Sequence, residues 1–298
     1  MALNLMAPHT WAASLMPSVF GCAWCIFKGF SLAPWQMAAL VAASVLMQSS
    51  VNCLNDYIDF VKGTDTAENN LERNDAVLLY ENINPKDALA LSIACLAAAA
   101  VLGIILIVSS CIIPLFIGII GALAVIFYSG GRTPISYLPI GEIVSGFVMG
   151  GLIPLGCAAV AAKAWRFDII FFALPFIISI GLIMMSNNGC DIEKDIAAER
   201  KTLPVMLGRE KTKKLYKGCV IVWMVLLWIL PILLIGWPGI LCAVIMHISA
   251  RKPMLWLMSS PLNQENRITQ MKTIIKANYA ANLSYIITII VGIVLKLR

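Results

Sequence analysis

Apolar stretches, each near the roughly 20 residues that cross a bilayer as a helix, recur along the whole chain. They lie near residues 10 to 32, 36 to 54, 87 to 109, 112 to 129, 140 to 162, 168 to 188, 214 to 236, 237 to 250 and 273 to 295. In hydrocarbon every backbone N–H and C=O needs a partner, and for runs of this length that partner comes from within a helix. Composition agrees, with 60% of the 298 residues hydrophobic and 13% charged, far from a soluble globular average. The expected fold is an all-α polytopic membrane protein of about nine transmembrane helices, or eight if the short run at 237 to 250 does not cross. The whole chain, 1–298, is read as one transmembrane domain.

Nine spans place the two termini on opposite sides of the membrane. With the N-terminus cytoplasmic, 17 of the 22 Lys and Arg fall in inner loops, as the positive-inside bias requires. The five left outside are Lys28, Lys163, Arg166, Lys296 and Arg298. The acidic residues are more uneven still, with 13 of 16 lying in two segments, Asp56 to Asp87 and Asp191 to Glu210, both cytoplasmic in this topology. The net charge of +6 therefore reflects topology and attraction to anionic lipid. It gives no ground for a nucleic-acid partner, and no feature marks an obligate protein partner.

The N-terminus lacks a basic region followed by a small-residue cleavage site, so it is read as the first span. The nine cysteines fall mostly inside apolar runs, as packing residues do. Cys22 and Cys25 form a Cys-x-x-Cys within a span with no second ligand pair, and packing is favoured over a redox or metal role. His9 and His247 are too far apart to share a metal.

One pattern does repeat. Asn52-x-x-x-Asp56-x-x-Asp59 recurs as Asn187-x-x-x-Asp191-x-x-x-Asp195, with Asn and first Asp each offset by 135 residues. Both copies end an even-numbered apolar run, which suggests two pseudo-repeated halves, roughly 1–135 and 136–298. Residues three or four apart share a helix face, so Asn52, Asn55, Asp56 and Asp59 can converge on one point and Asp191 with Asp195 on another. Hard oxygen ligands of this kind suit Mg2+, which binds through one or two carboxylates plus substrate phosphates. Solvated acidic connectors are the alternative reading, and the repetition at equivalent positions argues against it. Two such clusters across one cavity would hold a Mg2+-bridged diphosphate, with nearby cations neutralising the rest of its charge. The apolar bundle walls would take a hydrocarbon tail from the bilayer, which points to an enzyme that transfers an isoprenoid.

NDYIDFVKGTD (55–65), NNGCDIEKDIAAERKTLPVMLG (187–208) and YSGGRTPISYLPIGE (128–142) together resemble the UbiA-type intramembrane aromatic prenyltransferases, over nearly the whole chain. The second and third stretches look most like the 1,4-dihydroxy-2-naphthoate polyprenyltransferases of menaquinone biosynthesis. The resemblance implies a UbiA-type bundle with a central cavity open to the cytoplasmic side, in the bacterial cytoplasmic membrane. It implies Mg2+ as cofactor, held with a polyprenyl diphosphate by Asn52, Asn55, Asp56 and Asp59 on one side and Asp191 and Asp195 on the other, and supported by Asn187 and Asn188. It implies phosphate contacts from Lys62, Arg132, Arg200 and Lys201, with Lys194 or Arg209 as substitutes. For the aromatic acceptor it implies contacts from Glu142, Tyr57 and Tyr128. Helix-dipole placement of Glu142 and interfacial anchoring of the tyrosines are the simpler readings of those three. Arg73 is the one basic residue near the first motif in the position for a phosphate-facing cation. The implied reaction transfers a polyprenyl group to dihydroxynaphthoate with loss of CO2, giving demethylmenaquinone. A 4-hydroxybenzoate enzyme is the nearest rival within the family, and a divalent-cation transporter the rival from another class. A transporter would place its ionisable groups near the bilayer midplane, whereas these carboxylates lie at helix ends.

Overall fold

The computed structural model describes residues 2–63, 77–81 and 83–296. Arg73 and Asp65 lie outside the described residues. Among the described residues the chain is helical and has no strand. In chain order the helices are α1 (Ala2–Leu5), α2 (Ala12–Phe27), α3 (Pro34–Lys62), α4 (Val77–Tyr80), α5 (Pro85–Ser109), α6 (Ile113–Ser129), α7 (Gly141–Phe147) and α8 (Ile153–Ala162). They continue as α9 (Asp168–Cys190), α10 (Ile192–Ala197), α11 (Leu203–Leu207), α12 (Arg209–Ile235), α13 (Ile240–Ser249), α14 (Arg251–Met258) and α15 (Arg267–Val294).

Each expected apolar run is helical, and helix length and composition alone do not fix the count of crossings at nine. Six helices are long and apolar enough by themselves among the described residues, and two bent pairs raise the number to eight. One pair bends by 63° between Leu3–Thr10 and Ala12–Phe27, the other by 70° between Trp237–Ser249 and Arg251–Met258. The second bend accounts for the shortness of the run at 237 to 250. The remaining run, 112 to 129, is α6, whose 17 residues rise about 26 Å at 1.5 Å per residue, at the lower limit of about 17 residues for a span.

Local sequence sets the ends that matter for the site. Pro34 occupies the first turn of α3, where a missing N–H costs nothing, and Gln36 Oε1 accepts from the Ala33 N–H at 3.0 Å. Twenty-nine residues later α3 stops at Gly63, which adopts φ +66°, a left-handed conformation that suits glycine. The first motif, Asn52 to Asp59, therefore lies within the last three turns of a continuous helix. Asn84 caps α5 by accepting from Lys86 N–H at 3.0 Å, with Pro85 and Asp87 in the first turn.

The helices pack around a shared interior in which α2, α9 and α15 meet through Phe20, Phe176 and Tyr285. Ring centroids lie 4.6 Å apart for Phe20 and Phe176 and 5.4 Å for Phe20 and Tyr285. α3 lies along α5, and α2 along α8. The span Gly141–Ala162 is not a uniform helix, since Val148–Leu152 forms a π turn between α7 and α8. Gly146 and Gly150 of this span face α9 so closely that a Cβ at either would lie 2.5 Å from the Ile177 backbone. Small residues spaced four apart are what lets two membrane helices approach this closely.

Candidate functional site: an acidic cradle over an apolar cavity

A cavity of about 690 Å³ opens among α3, α5, α6, the α7–α8 span and α9. Its deep wall is apolar, formed by residues such as Leu40, Met47, Leu96, Ile107, Ala122 and Leu152. Its other end is lined by Asn52, Asn55, Asp56, Asp59, Asn187, Asn188, Asp191 and Asp195. Helical spacing on α3 puts the first four on one face. The second set straddles the end of α9, where Asp191 leads into α10 and Asp195 follows four residues later. The two repeated motifs, far apart in sequence, thus share one cavity.

Two arginines join these carboxylates. Arg200 donates from Nη2 to Asp59 Oδ1 at 2.6 Å, while its Nη1 stands 3.8 Å from Asp195 Oδ1, so a single guanidinium links the first motif to the second. Its plane lies over the Tyr137 ring, 4.7 Å from the centroid. Arg267 donates from Nε to both Asp191 oxygens at 3.0 and 3.1 Å and from Nη2 to Asn187 Oδ1 at 2.6 Å. Neutral donors complete the set. Thr202 Oγ1 donates to Asp195 Oδ2 at 3.0 Å, Leu78 N–H to Asp56 Oδ2 at 3.4 Å, and Asn55 Nδ2 to Asp59 Oδ2 at 3.1 Å. Ser129 Oγ in turn donates to Asn55 Oδ1 at 2.9 Å. The Asn52 amide donates to Met6 O and Thr10 Oγ1, tying α3 to the N-terminal segment.

Burial pushes the Asp195 carboxyl up to about 6, against the opposing pull of Arg200 and the Thr202 hydrogen bond, and the Asp191 charge adds to the rise. For Arg200, burial favours the neutral form, and the Asp59 and Asp195 carboxylates more than reverse it. The guanidinium stays charged.

Among the described residues no three His, Cys, Asp or Glu stand together as a metal cage. The donor set still fits Mg2+, because carboxylate and amide oxygens reach one cavity from two walls, and Mg2+ uses few protein ligands beside phosphate and water.

Several expected residues stand elsewhere. Lys62 is exposed, with Nζ 3.4 Å from the Tyr137 hydroxyl. Arg132 and Lys201 are exposed and outside the cavity lining, and the Lys201 backbone N–H donates to Tyr137 O at 2.8 Å. Arg209 Nη2 donates to both Glu193 carboxylate oxygens at 2.7 Å. Tyr57 packs with Leu5, Cys53 and Val77 rather than lining the cavity. Tyr128 does line it, whereas Glu142 is buried at its edge and accepts from Asn188 Nδ2 at 2.8 Å. In sequence Arg267 is one of the inner-loop cations of the positive-inside pattern. It shares one face of α15 with the buried Gln270, Asn278 and Asn282, but Lys272, Thr273 and Lys276 on the same helix keep that stripe from standing out in sequence.

A profile of the UbiA prenyltransferase family matches residues 14–273. The chain belongs to the UbiA prenyltransferase family. This UbiA-family protein is 31% identical over 207 residues to 1,4-dihydroxy-2-naphthoate octaprenyltransferase of Bacillus subtilis (strain 168), with 70% of this chain and 66% of the relative aligned. It is 30% identical over 202 residues to the enzyme of the same name from Mycobacterium tuberculosis (strain ATCC 25618 / H37Rv), covering 66% of each. The chain thus spans just under two thirds of the length of these curated relatives. Its fold matches a UbiA homologue from Archaeoglobus fulgidus bound to DMAPP and Mg2+, with a TM-score of 0.58, 15% identity, and 95% of this chain and 99% of that one covered.

Proposed function

We propose that this UbiA-family enzyme transfers a polyprenyl group from polyprenyl diphosphate to 1,4-dihydroxy-2-naphthoate, with Mg2+ and with loss of CO2, giving demethylmenaquinone. The observation that carries the reading is the pair of acidic clusters lining one mainly apolar cavity. The names of the two bacterial relatives support the acceptor, and the Mg2+ and prenyl diphosphate of the archaeal homologue support the donor.

Mg2+, when bound, supplies positive charge against the departing diphosphate. Asn55, Asp56 and Asp59 from α3 and Asp191 and Asp195 from the α9–α10 junction are the residues proposed to hold it. Arg200 and Arg267, already among these carboxylates, stabilise the charge that accumulates on the leaving group, the type of preorganised electrostatics that contributes most to catalysis. The apolar wall takes the prenyl tail and keeps water from the developing allylic cation. The N-terminus and the acidic end of the cavity face the cytoplasm in this reading, with the chain in the bacterial cytoplasmic membrane.

The test is product formation by the purified protein from polyprenyl diphosphate and either dihydroxynaphthoate or 4-hydroxybenzoate. Decarboxylated prenyl-naphthoquinol is the expected product. Product from 4-hydroxybenzoate alone would keep the family and overturn the acceptor.

A further inference from the structure

Tyr137, in the segment between α6 and α7, is where three parts of the chain meet beside the acidic cradle. The Arg200 guanidinium lies 4.7 Å from its ring centroid and the Lys62 ammonium 4.8 Å. Lys62 is the last residue of α3, which carries the first motif, and its Nζ stands 3.4 Å from the Tyr137 hydroxyl. The Tyr137 carbonyl accepts from the Lys201 N–H at 2.8 Å. Ring and backbone thus both hold the segment that follows α10, the helix of Asp195. Ser136, next to Tyr137, lines the cavity, as Arg200 does. What the ring supplies to Arg200 is orientation. The guanidinium reaches Asp59 from Nη2 at 2.6 Å, but its Nη1 only approaches Asp195, at 3.8 Å, and its Nε is buried without a hydrogen-bond partner. A fork held by one short bond can turn about it. A flat aromatic face selects one plane for a planar cation, and the attraction grows where water is excluded. Arg200 is in such a place, with 13% of its side chain exposed.

We infer that Tyr137 is a positioning residue for the prenyl diphosphate: its ring fixes the plane of the Arg200 guanidinium between the two acidic motifs, so that the fork is set before the phosphates arrive. This rests on the prenyl-transfer reading and adds to its donor half a residue that touches no reacting atom and acts through Arg200. A long side chain ordered on folding does not have to be ordered on binding, and affinity gains by that difference. Lys62 extends the same arrangement to α3. Through one ring the end of the first motif's helix, the α6–α7 segment and the α10–α11 segment keep a common spacing. The carboxylates alone do not do this, because they hold Arg200 by its tip and leave its face open.

The experiment is calorimetric titration of farnesyl diphosphate, with Mg2+, into the full-length protein and into Tyr137→Leu, Tyr137→Phe, Arg200→Gln and the Tyr137→Leu/Arg200→Gln pair, together with steady-state KM values for donor and acceptor. Tyr137→Leu should weaken farnesyl diphosphate about tenfold, within the worth of one cation–π contact. Tyr137→Phe, which keeps the ring, should stay within about threefold of wild type. The KM for the acceptor should not change in either. In the Arg200→Gln background Tyr137→Leu should have no further effect, because the residue through which it acts is gone. A merely structural role would lower the melting temperature and weaken donor and acceptor alike. Wild-type affinity in Tyr137→Leu, an equal loss in Tyr137→Phe, or additive losses in the pair overturns the inference. If Arg200→Gln does not fold, the contrast between leucine and phenylalanine at 137 decides alone. Failure of wild type to bind farnesyl diphosphate would instead sink the prenyl-transfer reading. The latch is then judged by thermal unfolding of the same four variants, where a loss in the pair smaller than the sum of the single losses supports contact between Tyr137 and Arg200 and an additive loss overturns it.

Discussion

Replacing Gly150 with alanine puts a carbon where α9 leaves no room for one. The new Cβ would lie 2.5 Å from Ile177 N, 2.6 Å from Ile177 Cα and 2.6 Å from Phe176 C. Ordinary van der Waals contact begins at 3.4 Å, and all three atoms are backbone, so no rotamer change relieves the clash. The α7–α8 span must move away from α9 by roughly 1 Å. Overpacking a close helix contact costs about 1–3 kcal/mol, and the rigidity of these partners places Gly150→Ala near 3. At about 2–4 °C per kcal/mol for a chain of this size, thermal unfolding in detergent should drop by roughly 6–12 °C. Activity should fall as well, since Val148, Met149 and Leu152 of the adjoining π turn line the cavity. Gly218→Ala is the control. Gly218 lies in α12 with nothing within 4 Å of its Cβ position, so alanine there should be neutral or stabilise by up to about 1 kcal/mol. Equal melting temperatures for Gly150→Ala and wild type, or an equal loss in both variants, would refute the packing argument.

Further expectations concern the charged groups. Arg267→Ala leaves the buried Asp191 without its guanidinium and should destabilise by about 3–5 kcal/mol; adding Asp191→Asn should recover at least about 1 kcal/mol in a double-mutant cycle measured by urea unfolding. Arg200→Lys cannot link Asp59 and Asp195 with one planar fork, so the KM for prenyl diphosphate should rise about tenfold in steady-state assays. Asp195 titrates near 6 when folded against an ordinary 3.8, so the folded chain holds the extra proton between those values. Its contribution therefore favours the fold at low pH and is lost as pH rises through about 6. Melting curves at several pH values should show a component of that sign which Asp195→Asn removes. Metal binding needs the ionised carboxyl, so Mg2+-dependent activity should rise over the same window.

Much of this was legible because membrane burial writes itself into sequence. A helix that satisfies its own backbone needs a long apolar run, and each of the nine runs proved helical. The acidic clusters were readable because carboxylates at the ends of such runs need a reason to be there, and helical spacing on α3 fixed their common face. Less legible was which cations come near them. Arg132 and Arg200 look alike as loop residues beside apolar runs. Only the fold separates an exposed side chain after Gly130-Gly131 from one that reaches Asp59 across 141 positions. Arg267 was hidden for a related reason, since the segment before α15 has no motif and its pairing with Asp191 is tertiary. The bends at 63° and 70° also blurred the count of spans, because a sharp break between two helical pieces leaves the hydropathy of both intact.

The most direct test of the central reading, that both acidic clusters act on one Mg2+-diphosphate, is calorimetric titration of farnesyl diphosphate into the purified protein. The titration would be run with Mg2+, with a chelator, and in Asp56→Asn and Asp191→Asn. The account predicts saturable binding that requires Mg2+ and is lost in each variant separately. Binding that persists with chelator present, or that survives the loss of either aspartate, would contradict it.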